Sequence, residues 1–167
     1  MGRVVTRSEL SAALAAARAA GQRIVLTNGC FDLLHVGHVR ALRAARALGD
    51  VLVVGLNSDR SVRGLKGEGR PLIAQEERAE LLAALEPVDF VVVFEEPTAE
   101  RLAELVRPAV YAKGGDYATE GAAFDARRLP EAKVVAAHGG ETVLVPLAPG
   151  RSTTDLVARI RAGAEPA

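Results

Sequence analysis

The stretch "RIVLTNGCFDLLHVGHVRALRAARALGDVLVVGLN", residues 23–57, places an apolar run on each side of a helical pattern. Both runs are short, nearly continuous and rich in β-branched residues, which is typical of strands buried on both faces of a parallel sheet. The segment between them is rich in Ala and Leu and is expected to end at Gly49, because glycine is common just beyond a helix. The stretch therefore predicts a strand–helix–strand unit with a right-handed crossover.

The alternation continues beyond this unit. Three further apolar runs of similar composition read "VDFVVVF", "AVYAKG" and "ETVLVPL". Helical patterns occupy residues 8–21, 74–85, 98–106 and 152–163, and Thr98 and Ser152 are suitable N-cap residues for the last two. The order predicts an α/β fold, a doubly wound Rossmann-like domain with an about five-stranded parallel sheet flanked by helices. One domain is expected over residues 1–167, with an N-terminal helix in residues 1–21 and the core in residues 22–163.

The composition is that of a soluble globular protein, with 49% hydrophobic and 25% charged residues. The 21 basic and 21 acidic residues cancel, so the sequence lacks the broad positive charge of a nucleic-acid-binding protein. The single cysteine, Cys30, excludes an intrachain disulfide and a zinc site built from several cysteines. Neither a signal-peptide pattern nor an apolar run of about 18 residues is present, which predicts a cytoplasmic protein without a membrane segment.

Four segments are expected to meet at one crevice. Residues 58–73 and 114–130 are too long for simple turns, and each follows a predicted strand. The segments "TNGCFD" and "PLAPGRSTT" likewise follow the first and last predicted strands. In an open α/β sheet, ligands bind beyond the carboxyl ends of the strands. The sequence therefore predicts a ligand site formed by these four segments.

His35 and His38 lie at the predicted start of a helix, three residues apart, so their side chains share one face. That helix end presents unpaired N–H groups and the positive end of the helix dipole, and both favour phosphate oxygens. A metal site with Cys30 and Asp32 as further ligands is one alternative, and plain structural packing is another. The sequence contains no P-loop motif, and the glycines of "GLKGEG", residues 64–69, are not spaced as in a dinucleotide-binding fingerprint.

Positive charge that could hold an anion recurs in the two long segments. Lys66 and Arg70 lie among glycines in residues 58–73, and Arg78 follows on the next predicted helix. Lys113 precedes a glycine pair that permits close ligand approach, and Asp116 could accept hydrogen bonds from a ribose or a sugar. A solvated loop, a surface arginine and an ordinary turn are the simpler interpretations of these features.

The last helix offers a second anion site. Arg151 could hold phosphate with two parallel hydrogen bonds, next to the hydroxyl and N–H groups of Ser152, Thr153 and Thr154. Ordinary N-capping by Ser152 is compatible with that role, because several N–H groups remain at the helix start. Two helix starts and several cations would thus face one crevice, and a polyphosphate nucleotide is the simplest ligand.

These elements together resemble the nucleotidyltransferase superfamily marked by an H-x-G-H motif, which here reads His35-Val36-Gly37-His38. The closer resemblance is to the D-glycero-β-D-manno-heptose 1-phosphate adenylyltransferase family, and it extends over roughly residues 22–163. Residues 118–130 depart from that family's pattern, in a region that could shape the sugar pocket. The matching segments, in the family's order, are residues 27–38, 49–71, 78–94, 113–117 and 150–154.

The resemblance implies transfer of AMP from ATP to a sugar 1-phosphate, by in-line attack on the α-phosphorus and release of pyrophosphate. The catalytic residues that it implies are His35, His38, Lys66 and Arg151. The implied nucleotide-binding residues are Asn28, Gly29, Cys30, Phe31, Gly37, His38, Lys113, Gly115, Asp116, Arg151, Ser152, Thr153 and Thr154. The implied substrate-binding residues are Asp32, Asn57, Asp59, Lys66, Arg70 and Arg78.

The resemblance also implies Mg²⁺ bridging the ATP phosphates with few protein ligands, a homodimer, and a sugar kinase on a separate chain. Three alternatives stay open. A cytidylyltransferase acting on glycerol 3-phosphate or a similar small phosphate would share the fold and the H-x-G-H motif. A regulatory nucleotide-binding module would bind ATP without turnover, and a zinc protein would use the histidines as ligands.

Overall fold

The computed structural model describes residues 1–115, 129–146 and 153–163, and the described elements alternate between strand and helix along most of the chain. The strands are β1 (Arg3–Val4), β2 (Ile24–Gly29), β3 (Val51–Asn57), β4 (Phe90–Phe94), β5 (Val110–Gly115) and β6 (Glu141–Pro146). The helices are α1 (Arg7–Ala19), α2 (Val36–Arg46), α3 (Asp59–Lys66), α4 (Gln75–Ala83), α5 (Glu100–Val106), α6 (Pro130–Ala137) and α7 (Thr153–Arg161). These helices are all too short or too polar to span a lipid bilayer.

The strands form one parallel sheet in the order β1-β4-β3-β2-β5-β6. The five predicted strands are present, and the sixth is β1, which pairs with β4 at the sheet edge. Its two residues are too few to give a periodic signal in the sequence. The chain runs from β2 towards β4 on one side and from β5 to β6 on the other, so the topological switch point lies between β2 and β5.

Alternate residues of the central strands point into two apolar cores, one on each face of the sheet. Leu26 and Val53 pack with side chains of α1, α5 and α6 on one face. Val25 and Leu52 pack with side chains of α2 and α4 on the other. Each of these four side chains is fully buried, and burial of such a side chain contributes about 1.5–3 kcal/mol. This two-sided burial explains why the strands read as continuous apolar runs.

The structure corrects the prediction that residues 58–73 are a loop, because α3 occupies the first half of that segment. Ser58 is the N-cap of α3, and its hydroxyl accepts the N–H of Ser61 at 3.2 Å. The helix ends at Lys66, and Gly67 follows it with φ +87°. The charges and glycines within α3 hide its period in the sequence, although Ser61 and Val62 form a buried face.

Two predicted helix boundaries are also wrong. Helix α2 ends at Arg46 rather than at Gly49, and Gly49 instead lies in close contact with the backbone of Arg23. Thr98 is not the N-cap of α5, because the helix starts at Glu100 and Ala99 occupies the N-cap position. The buried carboxylate of Glu131, on α6, accepts the N–H of Ala99 at 2.9 Å, so this cap comes from a distant part of the chain.

Gly49→Ala is expected to destabilise the protein by about 1–3 kcal/mol, because a Cβ there would lie 2.5 Å from the Arg23 carbonyl oxygen. Chemical denaturation measures the change. Gly64→Ala, within α3, is the matched control, since a Cβ there meets no atom within 4 Å. The control should leave stability unchanged or raise it by up to about 1 kcal/mol. Equal losses in the two variants would contradict the close-contact argument.

Candidate functional site

A cavity opens where β2 and β5 separate. The two strands pair only at Val25–Val110 and Leu26–Tyr111, although β2 pairs with β3 along its whole length. Beyond this short pairing lies a cavity of about 200 Å³ at the carboxyl ends of the strands. Its lining includes Asn28, Gly29, Cys30, Phe31, Asp32, His38, Lys66, Gly114 and Thr153. The segments after β2 and β3, the end of β5 and the start of α7 therefore meet at the topological switch point, as the sequence predicts.

His35 and His38 form a stacked pair at the start of α2. His35 is the N-cap, and its Nδ1 accepts the N–H of Gly37 at 3.1 Å. The Nδ1 of His38 accepts the N–H of His35 at 3.4 Å, and the ring centroids lie 3.9 Å apart. Because each Nδ1 is an acceptor, each neutral ring carries its proton on Nε2. The two Nδ1 atoms therefore fix the helix start, and the N–H of His38 lies on the Nε2 side of its ring.

The environment of His38 keeps this ring neutral in the ligand-free protein. Burial, the neighbouring His35 and the charge of Lys66 together lower the pKa of His38 to about 4. The Phe31 ring, whose centroid is 5.3 Å away, forms part of the apolar surroundings. An anionic ligand beside the ring would favour its charged form and raise this pKa. His38 is therefore a neutral donor that can gain charge when phosphate arrives.

Lys66 and Cys30 line the same cavity from two different segments. Lys66 is the last residue of α3 and its side chain is exposed to solvent, so its ammonium group can move towards a ligand. Burial raises the pKa of the Cys30 thiol, although the nearby charges of Lys66 and Arg78 oppose the shift. A protonated thiol is a poor nucleophile, so Cys30 contributes its backbone and its small size to the cavity.

Asn28 connects the end of β2 with β5 across the crevice. Its Oδ1 accepts the hydroxyl of Tyr111 at 2.5 Å and lies 3.4 Å from Nζ of Lys113. Two of the predicted nucleotide-binding side chains, Asn28 and Lys113, therefore lie next to each other. Gly114, the first residue of the glycine pair expected to permit close ligand approach, lines the cavity. Sequence reasoning missed the buried Tyr111, because a lone tyrosine within a strand gives no signal.

Five predicted substrate-binding residues are engaged within the protein. Asp32 is 1% exposed; its Oδ1 accepts the N–H groups of Leu72 and Ile73, and its Oδ2 forms an ion pair with Arg70 at 2.5 Å. Arg78 is fully buried and pairs with Asp59 at 2.6 Å, which contradicts the simpler interpretation of a surface arginine. Asn57 is also buried and donates to the Ser61 hydroxyl at 2.9 Å. Of the predicted set, only Lys66 presents its side chain to solvent at the cavity.

Other predicted site residues have a mixed outcome. Gly37 is buried within the first turn of α2, and Gly115 is the last residue of β5. Thr153, the first residue of α7, lines the cavity, and Thr154 follows it on that helix. The predicted roles of Asp116, Arg151 and Ser152 lie outside the described residues. Within the described residues, no three His, Cys, Asp or Glu side chains gather as a metal-binding group.

Comparison with known proteins assigns the family. A family model described as "Cytidylyltransferase-like" matches residues 26–157, which include most of β2, the stacked histidines and the start of α7. The chain belongs to the cytidylyltransferase-like family. This membership makes it a nucleotidyltransferase, and the expected place in the H-x-G-H superfamily is confirmed. The stacked His35–His38 pair thus lies in the part of the chain that the family shares.

Curated members and a solved structure extend the likeness of this cytidylyltransferase-like chain. It is 54% identical to bifunctional protein HldE of Geobacter sulfurreducens over 151 residues, which are 90% of this chain and 29% of the relative. It is 52% identical to bifunctional protein HldE of Rhodopseudomonas palustris over 160 residues, which are 96% of this chain and 31% of the relative. The chain thus spans about three tenths of the length of these relatives.

The crystal structure of the lipopolysaccharide core biosynthesis protein from Thermoplasma volcanium is similar to this chain with a TM-score of 0.61 and 26% identity. The likeness covers 77% of this chain and 98% of that protein. It confirms the predicted Rossmann-like architecture, with six strands in place of about five.

The lowered pKa of His38 predicts that stability falls as the pH drops from 6.5 to about 4. In this window the unfolded chain binds a proton at His38 and the folded chain does not, so acid favours unfolding. The expected loss in the free energy of unfolding is about 1–3 kcal/mol. It is smaller than the whole pKa difference would give, because the ring is partly exposed to solvent. Urea unfolding at several pH values should show a smaller acid loss in His38→Gln than in the wild type. An unchanged pH profile in this variant would contradict the lowered pKa.

Proposed function

We propose that the chain transfers AMP from ATP to D-glycero-β-D-manno-heptose 1-phosphate and produces ADP-heptose and pyrophosphate in the cytoplasm. The observation that carries this proposal is the placement of His38, Lys66 and Thr153 around one cavity at the switch point. Family membership supports nucleotidyl transfer, and the heptose assignment rests on the resemblance of five sequence segments. The 52–54% identity to the HldE proteins supports a common activity for the matched region.

In the proposed reaction, a phosphate oxygen of the sugar 1-phosphate attacks the α-phosphorus of ATP. A new P–O bond forms, the bond between the α-phosphorus and its bridging oxygen breaks, and pyrophosphate leaves with the electron pair. No covalent enzyme intermediate and no general base are needed, because the attacking phosphate is already an anion. The protein must hold two anions together and stabilise charge as it moves to the leaving group.

The described side chains are suited to that task. The Nε2–H groups of His35 and His38 would donate to phosphate oxygens, and a proton gained by His38 would strengthen its bond as charge develops. The ammonium group of Lys66 would contact the β- and γ-phosphates from the opposite side. Backbone groups of Gly29, Cys30 and Phe31 would line the α-phosphate. Arg151, Ser152, Thr154 and Asp116 are proposed to bind nucleotide as the resemblance implies.

The bonds that the other predicted substrate ligands form within the protein change the proposed sugar site. Asp32, Asn57, Asp59 and Arg78 each bond to protein groups, so we assign them to the framework of the site. Arg70, which pairs with Asp32, belongs to the same framework. Besides its proposed contact with the β- and γ-phosphates, Lys66 is then the described candidate for contact with the sugar phosphate. Residues 118–130 are proposed to shape the sugar pocket.

A divalent cation, proposed to be Mg²⁺, would enter with the triphosphate. The cavity-lining carboxylate among the described residues is Asp32, and it is occupied by Arg70 and two backbone N–H groups. The donor set therefore fits an ion held mainly by phosphate oxygens and water, as is usual for Mg²⁺. When bound, the ion would neutralise phosphate charge, and the residues of this chain would orient the two substrates.

Two protein partners are proposed from the resemblance. A second copy of the chain would form a homodimer, as the resemblance implies. A sugar kinase on a separate chain would supply the sugar 1-phosphate. The relatives named HldE are called bifunctional and are more than three times as long as the matched region, so they could carry both activities on one chain.

The second candidate function is cytidylyl transfer to glycerol 3-phosphate, and the family description favours it. Pyrophosphate release measured with ATP or CTP, each paired with heptose 1-phosphate or glycerol 3-phosphate, separates the two. The proposed function predicts turnover with ATP and heptose 1-phosphate. Faster turnover with CTP and glycerol 3-phosphate would overturn it, and ATP binding without turnover on either acceptor would identify a regulatory module.

A further inference from the structure

Arg78 lies at the centre of a buried hydrogen-bond network beneath the cavity. Its side chain is fully buried on α4 and bonds to four residues outside that helix. Nη1 donates to the carbonyl oxygens of Cys30 at 2.5 Å and Asn57 at 3.0 Å. Nε donates to the carbonyl oxygen of Ile73 at 2.9 Å, and Nη2 donates to the Asp59 carboxylate at 2.6 Å. One guanidinium therefore joins the ends of β2 and β3, the start of α3 and the segment before α4.

The bond to Cys30 fixes the peptide that follows it. In a planar trans peptide the C=O and the next N–H point in opposite directions. Because the Cys30 carbonyl points to Arg78, the N–H of Phe31 points away from Arg78. Phe31 lines the cavity and has φ +47°, a left-handed conformation that side chains other than glycine rarely adopt. Within the described part of the chain, no protein acceptor takes this N–H. Arg78 thus holds a backbone donor in an unusual conformation at the site.

The bond to Asp59 fixes the helix that carries Lys66. Asp59 is the first residue of α3 and Lys66 is the last. The helix is also held at its start by Asn57, whose side chain donates to the Ser61 hydroxyl. A helix of this length is a stiff unit of about 12 Å, so a rotation at its start would displace Lys66 at its end. The Arg78–Asp59 pair therefore controls where Lys66 lies relative to Cys30 and His38.

Asp32 holds the other side of the same segment. It accepts the N–H of Ile73, whose carbonyl oxygen is bound by Arg78, so the two charged side chains hold Ile73 from both sides. Desolvation of charged groups cancels much of the stability that such buried networks could give. The network formed by Arg78 and Asp32 is consequently better explained by the way it fixes the positions of these segments than by added stability.

We propose that Arg78 is a positioning residue: it keeps the Phe31 N–H and the end of α3, which carries Lys66, at a fixed separation across the cavity, so that this N–H and the Lys66 ammonium group both contact the phosphates during transfer. This inference rests on the proposed function and assigns to Arg78 a role other than direct contact with the sugar phosphate. A displacement of about 1 Å can reduce a rate about 100-fold, which sets the size of the expected effect.

A double-mutant cycle tests the proposal. Arg78→Lys, Lys66→Met and the double variant are compared by pyrophosphate release per folded enzyme. Arg78→Lys should lower kcat about 100-fold in the wild-type background. In the Lys66→Met background the same substitution should lower kcat only about tenfold. Leu82→Ala is the matched control for lost stability, because Leu82 is fully buried on the same helix in the apolar core. Its cost in kcat should be small and equal in both backgrounds.

Three outcomes would overturn the proposal. The first is that Arg78→Lys and Lys66→Met act independently, so that their fold-losses in kcat multiply in the double variant. The others are a loss of kcat in Leu82→Ala equal to that in Arg78→Lys, or a raised KM for the sugar phosphate with kcat unchanged in Arg78→Lys. Asp59→Asn, which weakens only the connection to α3, provides the cycle if Arg78→Lys does not fold. Absence of pyrophosphate release by the wild type would count against the proposed function instead. The same cycle measured on ATP affinity by calorimetry then tests the positioning role by itself.

Discussion

His38→Ala is expected to lower the rate of pyrophosphate release by about 10²–10³-fold while the fold is retained. The substitution removes the Nε2–H donor of His38 and a ring whose pKa is lowered to about 4. Its loss should be larger in kcat than in the affinity for ATP, because the bond to phosphate strengthens as charge moves to the leaving group. Steady-state rates and circular dichroism spectra, recorded on the same samples, check both parts of this prediction.

The chain provides its own control for this variant. His138 is exposed at the end of α6, and it is the remaining histidine of three in the sequence. His138→Ala should leave turnover unchanged. Normal turnover by His38→Ala would contradict the assignment of the stacked histidines as phosphate donors.

Lys66→Met is expected to reduce kcat/KM for ATP by about 10²-fold or more, because it removes the exposed cation at the cavity that we propose binds the phosphates. The methionine keeps the length and the apolar part of the side chain, so helix α3 and the stability of the fold should be unaffected. Initial rates at varied ATP concentration measure the loss. Since Lys66 also contributes to the lowered pKa of His38, the variant should show a higher His38 pKa by NMR.

Lys133 is the matched control for Lys66, because it is an exposed lysine on α6. Lys133→Met should retain the wild-type kcat/KM. A Lys66→Met enzyme with wild-type kinetics would show that the cation at the end of α3 takes no part in binding the triphosphate.

The sequence was sufficient to predict five of the six described strands and several of the segments that line the cavity. Strands buried on both faces give continuous apolar runs, so β2 to β6 could be recognised without their partners. The rule that ligands bind at the carboxyl ends of parallel strands then brought Asn28, His38, Lys66 and Thr153 to one crevice. The spacing of His35 and His38 also predicted their shared helix face, because that geometry is local.

The features that the sequence could not predict depend on contacts between distant parts of the chain. Arg78 was expected at a surface or on substrate, yet its partners are carbonyl groups of Cys30, Asn57 and Ile73, which belong to other segments. The cap of α5 by Glu131 likewise depends on how α6 packs against α5. Strand β1 depends on pairing with β4, since two residues carry no pattern of their own. Such features follow from packing, and side-chain spacing along the chain does not encode them.

The central claim is that this cavity joins an adenylyl group to a sugar 1-phosphate, and phosphorus NMR of the reaction tests it most directly. The purified chain is mixed with ATP, Mg²⁺ and D-glycero-β-D-manno-heptose 1-phosphate. We expect ADP-heptose and pyrophosphate to appear in equal amounts, and His38→Ala to abolish both signals on the same time scale. Unchanged ATP, or ADP and inorganic phosphate in place of pyrophosphate, would contradict the account.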